Sequence, residues 1–444
     1  MAAASAASIP QTKSIRKVMT ASAIGHFVEW FDFAVYAYTA PVIAKLFFPS
    51  ADPANALLAT FAVYAVGFVA RPLGAFLLGS LGDRIGRKRV LSTVILMMGV
   101  STALIGLLPT YQQIGVLAPL LLIVLRMLQG LSAAGETIGS NSFVAEHSPI
   151  AGRGFNVGMV YTWSNLPPVV AALLVLALTQ MLSTSDYETW GWRIPFLLGA
   201  PLAIVGLYIR SKMEETPAFA AIEAAKKVET SPIRAVFRSQ WRAMLTCFSI
   251  AAVASLGYYS LTGYFYSYLT VTVGLSAPEA LWSNSIALLI TFVTVPLSAK
   301  LSDHIGRRRT LIVAGTLGGA VAVPAYLLAS TGTLEAAIVS QALLALSLGM
   351  FFGPAGPAFV ELFPARTRYT GASISYNLAF TIFGGTAPLL AVWLVQHFDS
   401  KIAPAWYVVC VNLLALLVIY RMPETNQRSM QPAELNNTDF SDQQ

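Results

Sequence analysis

Charged side chains are scarce in this chain: Asp, Glu, Lys and Arg make up 11% of its 444 residues, against about 25% in soluble domains. Hydrophobic residues make up 56%, more apolar surface than a soluble fold hides. That balance excludes a soluble enzyme or binding module and points to a polytopic membrane protein. Cysteine is rarer still. Cys247 and Cys410 each lie inside an apolar run, which excludes a disulfide framework and leaves them as small packing residues. No Gly-x-x-x-x-Gly-Lys-Ser/Thr loop and no His-Glu-x-x-His pair occurs, so an ATP-driven pump or metal-dependent membrane enzyme lacks its machinery. No enzyme activity, cofactor or metal is expected. The net charge of +7 invites a nucleic-acid reading, but the basic residues lie between apolar runs, where they set topology. The first twelve residues show no charged start followed by an apolar core, so the first span is expected to direct insertion.

Runs of about 20 apolar residues, enough to cross a bilayer, fall at 19–45, 55–80, 90–110, 115–146, 154–182 and 191–210. Six more fall at 242–270, 279–301, 310–330, 334–362, 369–396 and 404–421. The expected class is an all-α polytopic membrane protein of twelve transmembrane helices in two six-helix halves. The expected division is a segment 1–18, a bundle 19–210, a linker 211–241 with short surface helices, a bundle 242–421 and a disordered polar tail 422–444. Lys and Arg concentrate before span one, after every even span and in the linker, while the opposite loops hold little beyond Lys45, Arg193 and Lys401. By the positive-inside rule both termini are cytoplasmic.

The two halves echo each other. Gly82-Asp83-Arg84-Ile85-Gly86-Arg87-Lys88-Arg89 returns 220 positions later as Ser302-Asp303-His304-Ile305-Gly306-Arg307-Arg308-Arg309, and Glu146-x-x-Pro149-x-x-x-Arg153 returns as Glu361-x-x-Pro364-x-x-x-Arg368. Internal repeats around a midplane site are how secondary transporters are built.

Intramembrane charge costs roughly 2.5–3.5 kcal/mol per residue on insertion scales, so each deep charge needs a reason. All of them fall in the first half. On span one, His26, Glu29, Asp32 and Tyr36 recur at steps of three and four and share a face. A carboxylate facing a low-dielectric cavity loads and releases a proton near neutral pH, which makes Asp32 and Glu29 the leading proton carriers, with His26 and Glu136 further candidates. The alternative is that the span-one acids pair with Arg71 or Arg126 structurally. Span four carries Arg126, Gln129, Ser132 and Glu136 on one stripe. The planar fork of Arg126 can hold a carboxylate bidentately, and Arg71 precedes Pro72 as a second candidate. On span seven, Tyr259, Thr262 and Tyr266 share a face with Ser255, whereas Tyr264 and Tyr268 point away. Tyrosine faces attract a quaternary ammonium by about 0.5–2 kcal/mol each, but aromatics also serve packing and interface belts. The deep acids Glu29, Asp32 and Glu136 outnumber Arg71 and Arg126 by one, a balance that favours a zwitterionic cargo. One proton entering with a zwitterion supports roughly fiftyfold accumulation at 100 mV, since one charge is then worth about 2.3 kcal/mol. A dianion would need two or more protons.

The repeated Gly-Asp-Arg-x-Gly-Arg-Lys loop and the two six-span halves resemble the major facilitator superfamily. Narrower features resemble its metabolite:proton symporter family: Glu29-Trp30-Phe31-Asp32-Phe33, Arg71-Pro72-Leu73-Gly74, Gln129-Gly130 with Gly135-Glu136, Trp190-Gly191-Trp192-Arg193-Ile194-Pro195-Phe196 and Glu214-Glu215-Thr216-Pro217. Carriers of proline and glycine betaine, 2-oxoglutarate, citrate and shikimate belong to that family. Phe143-Val144-Ala145-Glu146-His147-Ser148-Pro149 and Leu81-Gly82-Asp83 look most like the proline and betaine carriers, although the long coiled-coil tail known in some of those carriers is not expected here. The resemblance implies a proton-coupled symporter in the bacterial inner membrane, a monomer whose partners are protons, a small-molecule substrate and the bilayer. It also implies that Asp83, Arg84, Arg87, Glu146 and Arg153 with Asp303, Arg307, Glu361 and Arg368 form cytoplasmic contacts that gate alternating access. The alternative cargoes are a di- or tricarboxylate such as 2-oxoglutarate or citrate. A drug/proton antiporter and a non-transporting sensor are the remaining readings, and antiport loses ground because span five lacks a glycine-rich Gly-Pro signature.

Overall fold

The computed structural model describes residues 12–49 and 53–431, and among them all regular structure is helical. The first six long helices are α1 (Thr12–Phe47), α2 (Pro53–Ile85), α3 (Arg87–Leu107), α4 (Leu117–His147), α5 (Arg153–Met181) and α6 (Thr184–Ser211). The second six are α7 (Trp241–Val273), α8 (Ala277–Ile305), α9 (Arg307–Ala329), α10 (Leu334–Glu361), α11 (Arg368–Phe398) and α12 (Ala403–Ile419). Ten of the twelve are long and apolar enough to cross a membrane. The other two are α1, with Glu29 and Asp32 in its interior, and α12, which has 17 residues. Two short helices, Pro217–Ala224 and Pro232–Ser239, occupy the connection between the halves.

The halves meet along two seams, α2 against α11 and α5 against α8, with α4 and α10 inside. From Ser132 to His147 every residue of α4 is buried, and so is every residue of α10 from Phe351 to Glu361. Small residues permit this: a Cβ on Gly130 would clash with the Gly67 carbonyl of α2, so α2 and α4 cross nearly backbone to backbone.

Two expectations need correction. The repeated charged segments are not loops that follow a helix end. Asp83 and Asp303 lie in the last helical turn of α2 and α8, and only Gly86 and Gly306 interrupt the path into α3 and α9. Both glycines hold φ near +100° (102° and 103°), a region that L side chains avoid, so one residue suffices for the reversal. Nor is the whole tail loose: residues 422–431 run back against the bundle, where Met422, Thr425, Asn426 and Met430 are buried. Residues 432–444, including Asn436, Asn437 and Asp439, lie outside the described residues, as do most of residues 1–18 (all of 1–11).

Candidate substrate and proton site

The deep charges of the first half form three units. Asp32 on α1 accepts hydrogen bonds from the Thr102 hydroxyl of α3 and from Gln129 Nε2 of α4, the latter at 2.9 Å. The same Gln129 accepts from Arg126 Nη1 at 2.8 Å. Gln129 therefore bridges an acid that has only neutral donors to a cation that has no direct carboxylate. The Arg126 guanidinium lies over the rings of Phe33, Tyr36 and Tyr64 at 4.4–5.1 Å, while its Nε and Nη2 are buried without a partner. Tyr36 spends its hydroxyl on the Thr60 carbonyl at 3.1 Å, so it offers Arg126 its face.

The second unit pairs Glu29 with Arg71 at 3.5 Å, and Thr137 donates to the other carboxylate oxygen at 3.0 Å. Arg71 also stacks over Phe33 and Phe68 at 4.8 and 5.0 Å and keeps two N–H groups unpartnered. The third unit is Glu136 with Arg210 of α6, a two-point ion pair completed by Ser140 and the Leu91 carbonyl. Arg210 corrects the sequence count. It sits in the last turn of α6 and reads as an edge-of-span cation, yet it is buried. The deep acids and deep arginines are then three and three, and the surplus of one acid disappears. His26 is well inside α1, not near its end, and shares a hydrogen bond with Ser164 of α5 at 2.8 Å.

Aromatic rings carry this chemistry to the boundary between the halves. Phe33 contacts Phe68, Phe68 contacts Tyr259, Tyr259 contacts Tyr258, and Tyr258 contacts Trp30, with centroids 5.1–5.5 Å apart. A narrow cavity lies beside this chain, lined by Trp30, Tyr161, Asn165, Tyr258 and Phe352 among others. The expected stripe on α7 does not persist. Beyond Tyr259 the helix turns π-helical at Ser260–Tyr264 and again at Tyr268–Val273, which ends the 3.6-residue periodicity. Tyr259 faces the first half, Thr262 donates to the Tyr258 carbonyl, and Tyr266 packs with the cluster of Tyr264, Phe265, Tyr268 and Tyr326. Tyr258 and Trp30 reach the boundary instead. Only tertiary packing singles them out.

At the end of the bundle carrying Gly86 and Gly306, hereafter the charged face, the repeated motifs lock one half onto the other. Asp83 accepts from the Tyr369 and Thr370 N–H groups at the start of α11 (3.3 and 2.8 Å) and pairs with Arg87 at 3.1 Å. Asp303 repeats this on α5, accepting from Gly154 and Phe155 N–H (2.8 and 2.9 Å) and pairing with Arg307 at 2.8 Å. In both cases a carboxylate of one half meets the positive end of a helix dipole in the other. Glu146 pairs with Arg368 at 2.6 Å, and Glu361 with Arg153 at 2.7 Å. Arg84 does not join; it is exposed on the outer side of α2.

A third repeat escaped the sequence reading. Glu215 caps the start of α3 through the Arg87 and Lys88 N–H groups (both 3.1 Å), and Glu424 caps α9 through Arg307 and Arg308 (2.6 and 3.2 Å). Each is followed by threonine, and Thr425 donates to Glu361 at 2.7 Å. The signal was Lys212-Met213-x-Glu215-Thr216 against Arg421-Met422-x-Glu424-Thr425, too short to stand out without the fold. Burial pushes the Glu215 carboxyl above the usual carboxylate range, opposed by the Thr216 N–H and the Arg87 guanidinium.

Residues 18–231 match the family described as sugar (and other) transporter, and residues 248–441 match the major facilitator superfamily. The proline/betaine transporter of Escherichia coli K12 is 34% identical over 432 residues, covering 94% of this chain and 85% of that protein. The chain belongs to the metabolite:proton symporter family of the major facilitator superfamily. The inner membrane metabolite transport protein YhjE of E. coli K12 resembles this family member at 37% identity, with 94% and 96% of the two chains covered. The ectoine/proline transporter ProP of Corynebacterium glutamicum does so at 35%, with 94% and 86% covered. Among solved structures, the proton:xylose symporter XylE bound to 6-bromo-6-deoxy-D-glucose superposes with a TM-score of 0.77 at 17% identity, over 96% of this family member and 99% of that chain. That likeness establishes the shared fold.

Proposed function

We propose that this family member is a proton-coupled symporter importing a small carboxylate-bearing metabolite across the bacterial inner membrane, with the charged face and both termini cytoplasmic. The observation that carries the reading is the Asp32–Gln129–Arg126 relay. When the site is empty, Asp32 and Arg126 balance each other's charge through Gln129. A substrate carboxylate bound by the unpartnered Arg126 N–H groups leaves Asp32 as an uncompensated buried anion, which costs several kcal/mol. A proton on Asp32 removes that cost. Substrate and proton thus favour each other's binding, the reciprocal coupling that symport requires. Glu29 with Arg71 and Glu136 with Arg210 are each compensated locally, so Asp32 is the better proton carrier, and Glu136 serves as an anchor between α4 and α6.

The loss of the acid surplus removes the electrostatic argument for a zwitterion. What supports an osmolyte such as proline or glycine betaine is the names of the similar transporters and the chain of aromatic faces that an ammonium group would meet. A di- or tricarboxylate would need both arginines, and Arg71 is already engaged with Glu29. In the transport cycle, the paired contacts of Asp83, Glu146, Asp303 and Glu361 hold the cytoplasmic side shut, the linker 211–241 tethers the two bundles, and the protein works as a monomer. The test is an uptake screen in proteoliposomes with proline, glycine betaine, 2-oxoglutarate, citrate and shikimate while external pH is recorded. Alkalinisation of the medium on adding proline or betaine is the expected result. Acidification would make the protein an exchanger, and saturable binding without flux would make it a sensor.

A further inference from the structure

The connection between the halves carries a feature that transport does not use. The helix Pro232–Ser239 is strongly amphipathic: Pro232 and Val236 are buried against the bundle, while Arg234, Phe237 and Arg238 face outward. One turn on, at the start of α7, Trp241 and Arg242 are also exposed. These five positions follow one another at alternating steps of three and one and alternate cation with ring. Phe237 is 52% exposed even though its ring stacks on Phe76 of α2, and Trp241 is 56% exposed beneath the Arg242 guanidinium. Among the described residues none of the three arginines enters an ion pair. The nearest acid in sequence, Glu229, turns its carboxylate onto the Ser231 N–H.

We propose that this helix and the first turn of α7 form a binding surface for the headgroups of anionic phospholipid. Three unpaired cations call for an anionic partner. The interleaved rings call for one whose charge lies at the edge of an apolar phase, which describes a phospholipid leaflet and not a soluble polyanion. The rings enter the acyl boundary, as interfacial aromatics do, and the guanidinium groups meet the phosphates. The position gives the contact a consequence. Gln240, between the helix and α7, exchanges two hydrogen bonds with Thr367 (2.8 and 3.0 Å), the residue preceding α11. The next residues are Arg368, which pairs with Glu146, and Tyr369 and Thr370, whose N–H groups meet Asp83. Lipid that holds the helix in place therefore also supports the closed charged face.

The test is a thermal-unfolding titration of the purified full-length protein in detergent with phosphatidylglycerol and, separately, phosphatidylcholine. Phosphatidylglycerol is expected to raise the midpoint and phosphatidylcholine to leave it unmoved. Each of Arg234→Gln, Arg238→Gln and Arg242→Gln is expected to weaken the apparent affinity for phosphatidylglycerol about fivefold, about 1 kcal/mol each. The triple substitution should abolish the rise with no change in the lipid-free midpoint. The pair Arg89→Gln and Arg309→Gln, exposed on the same face, should keep it. An equal rise with phosphatidylcholine, or a rise that persists in the triple variant, would overturn the proposal. Should the triple variant not fold, the wild type decides: the rise must vanish in 0.5 M salt, where the screening length is about 4 Å, and a rise indifferent to salt is a contrary result.

Discussion

α4 and α10 hold equivalent places in the two halves, one beside the other at the centre of the molecule, yet their chemistry differs. α4 buries Arg126, Gln129, Ser132, Glu136 and Thr137; at the offset that relates Glu146 to Glu361, the corresponding residues of α10 are Gln341, Leu344, Ser347, Phe351 and Phe352, none of them charged. At the charged face the difference vanishes, and Glu146 and Glu361 make the same kind of pair with an arginine of the opposite half. Contacts that close the two halves onto each other, as the proposed gate does, have to be built twice, because each half must hold the other. Cargo chemistry need exist only once, and each buried charge is expensive enough that a second set has no reason to persist.

That contrast can be broken or sharpened by substitution. The largest effect is expected for Arg210→Met, which strands Glu136 as a buried unpaired anion: a loss of about 4 kcal/mol in stability, read by thermal unfolding, with Glu136→Gln added to Arg210→Met restoring most of it. A loss not relieved by the second change would mean that Arg210 does more than neutralise Glu136. Arg126→Ala should weaken substrate binding by about a hundredfold, about 3 kcal/mol, in a purified-protein binding assay. Near-normal affinity would return Arg126 to a structural role and remove the first half's claim to the cargo. The gate should answer evenly. Arg153→Ala and Arg368→Ala each remove a buried partner worth about 2–3 kcal/mol to the closed face, so maleimide labelling of a Ser142→Cys reporter should rise to a similar extent in both. A rise in only one variant would show that the quartets are alike in geometry and unequal in use. The smallest effects belong to the caps. Glu215→Ala and Glu424→Ala should each cost about 1 kcal/mol, again by thermal unfolding, and equally.

The sequence made the architecture legible because bilayer thickness imposes a length on every apolar run and positive charge marks one side. Twelve spans follow from that alone. The proposed gate was legible in its parts, since Asp83 and Asp303, with Glu146 and Glu361, repeat at nearly one offset. Its assembly was not. That Asp83 meets backbone N–H groups of α11, 286 residues away, depends on how the halves close, and the short echo of Met213-x-Glu215-Thr216 in Met422-x-Glu424-Thr425 carries too little pattern to register. The span-one face of His26, Glu29, Asp32 and Tyr36 was readable from helical periodicity. The α7 stripe failed because periodicity itself fails there, at two π-helical turns. Arg210 was missed for a different reason: position in a span predicts depth poorly near its end, and only the Glu136 carboxylate across the bundle explains why this arginine is drawn inside while Arg84, at the end of α2, is left out.

The central claim is that one carboxyl in the first half couples proton to cargo through its bridge to Arg126. The direct measurement is proline or glycine betaine transport by Asp32→Asn in proteoliposomes, assayed once as accumulation under an imposed pH gradient and once as counterflow without one. The account predicts that accumulation falls to the level of equilibration while counterflow continues, since asparagine can still accept from Gln129 through its oxygen and donate to the Thr102 hydroxyl through its NH2, but cannot carry the proton. Accumulation equal to wild type in Asp32→Asn would contradict it.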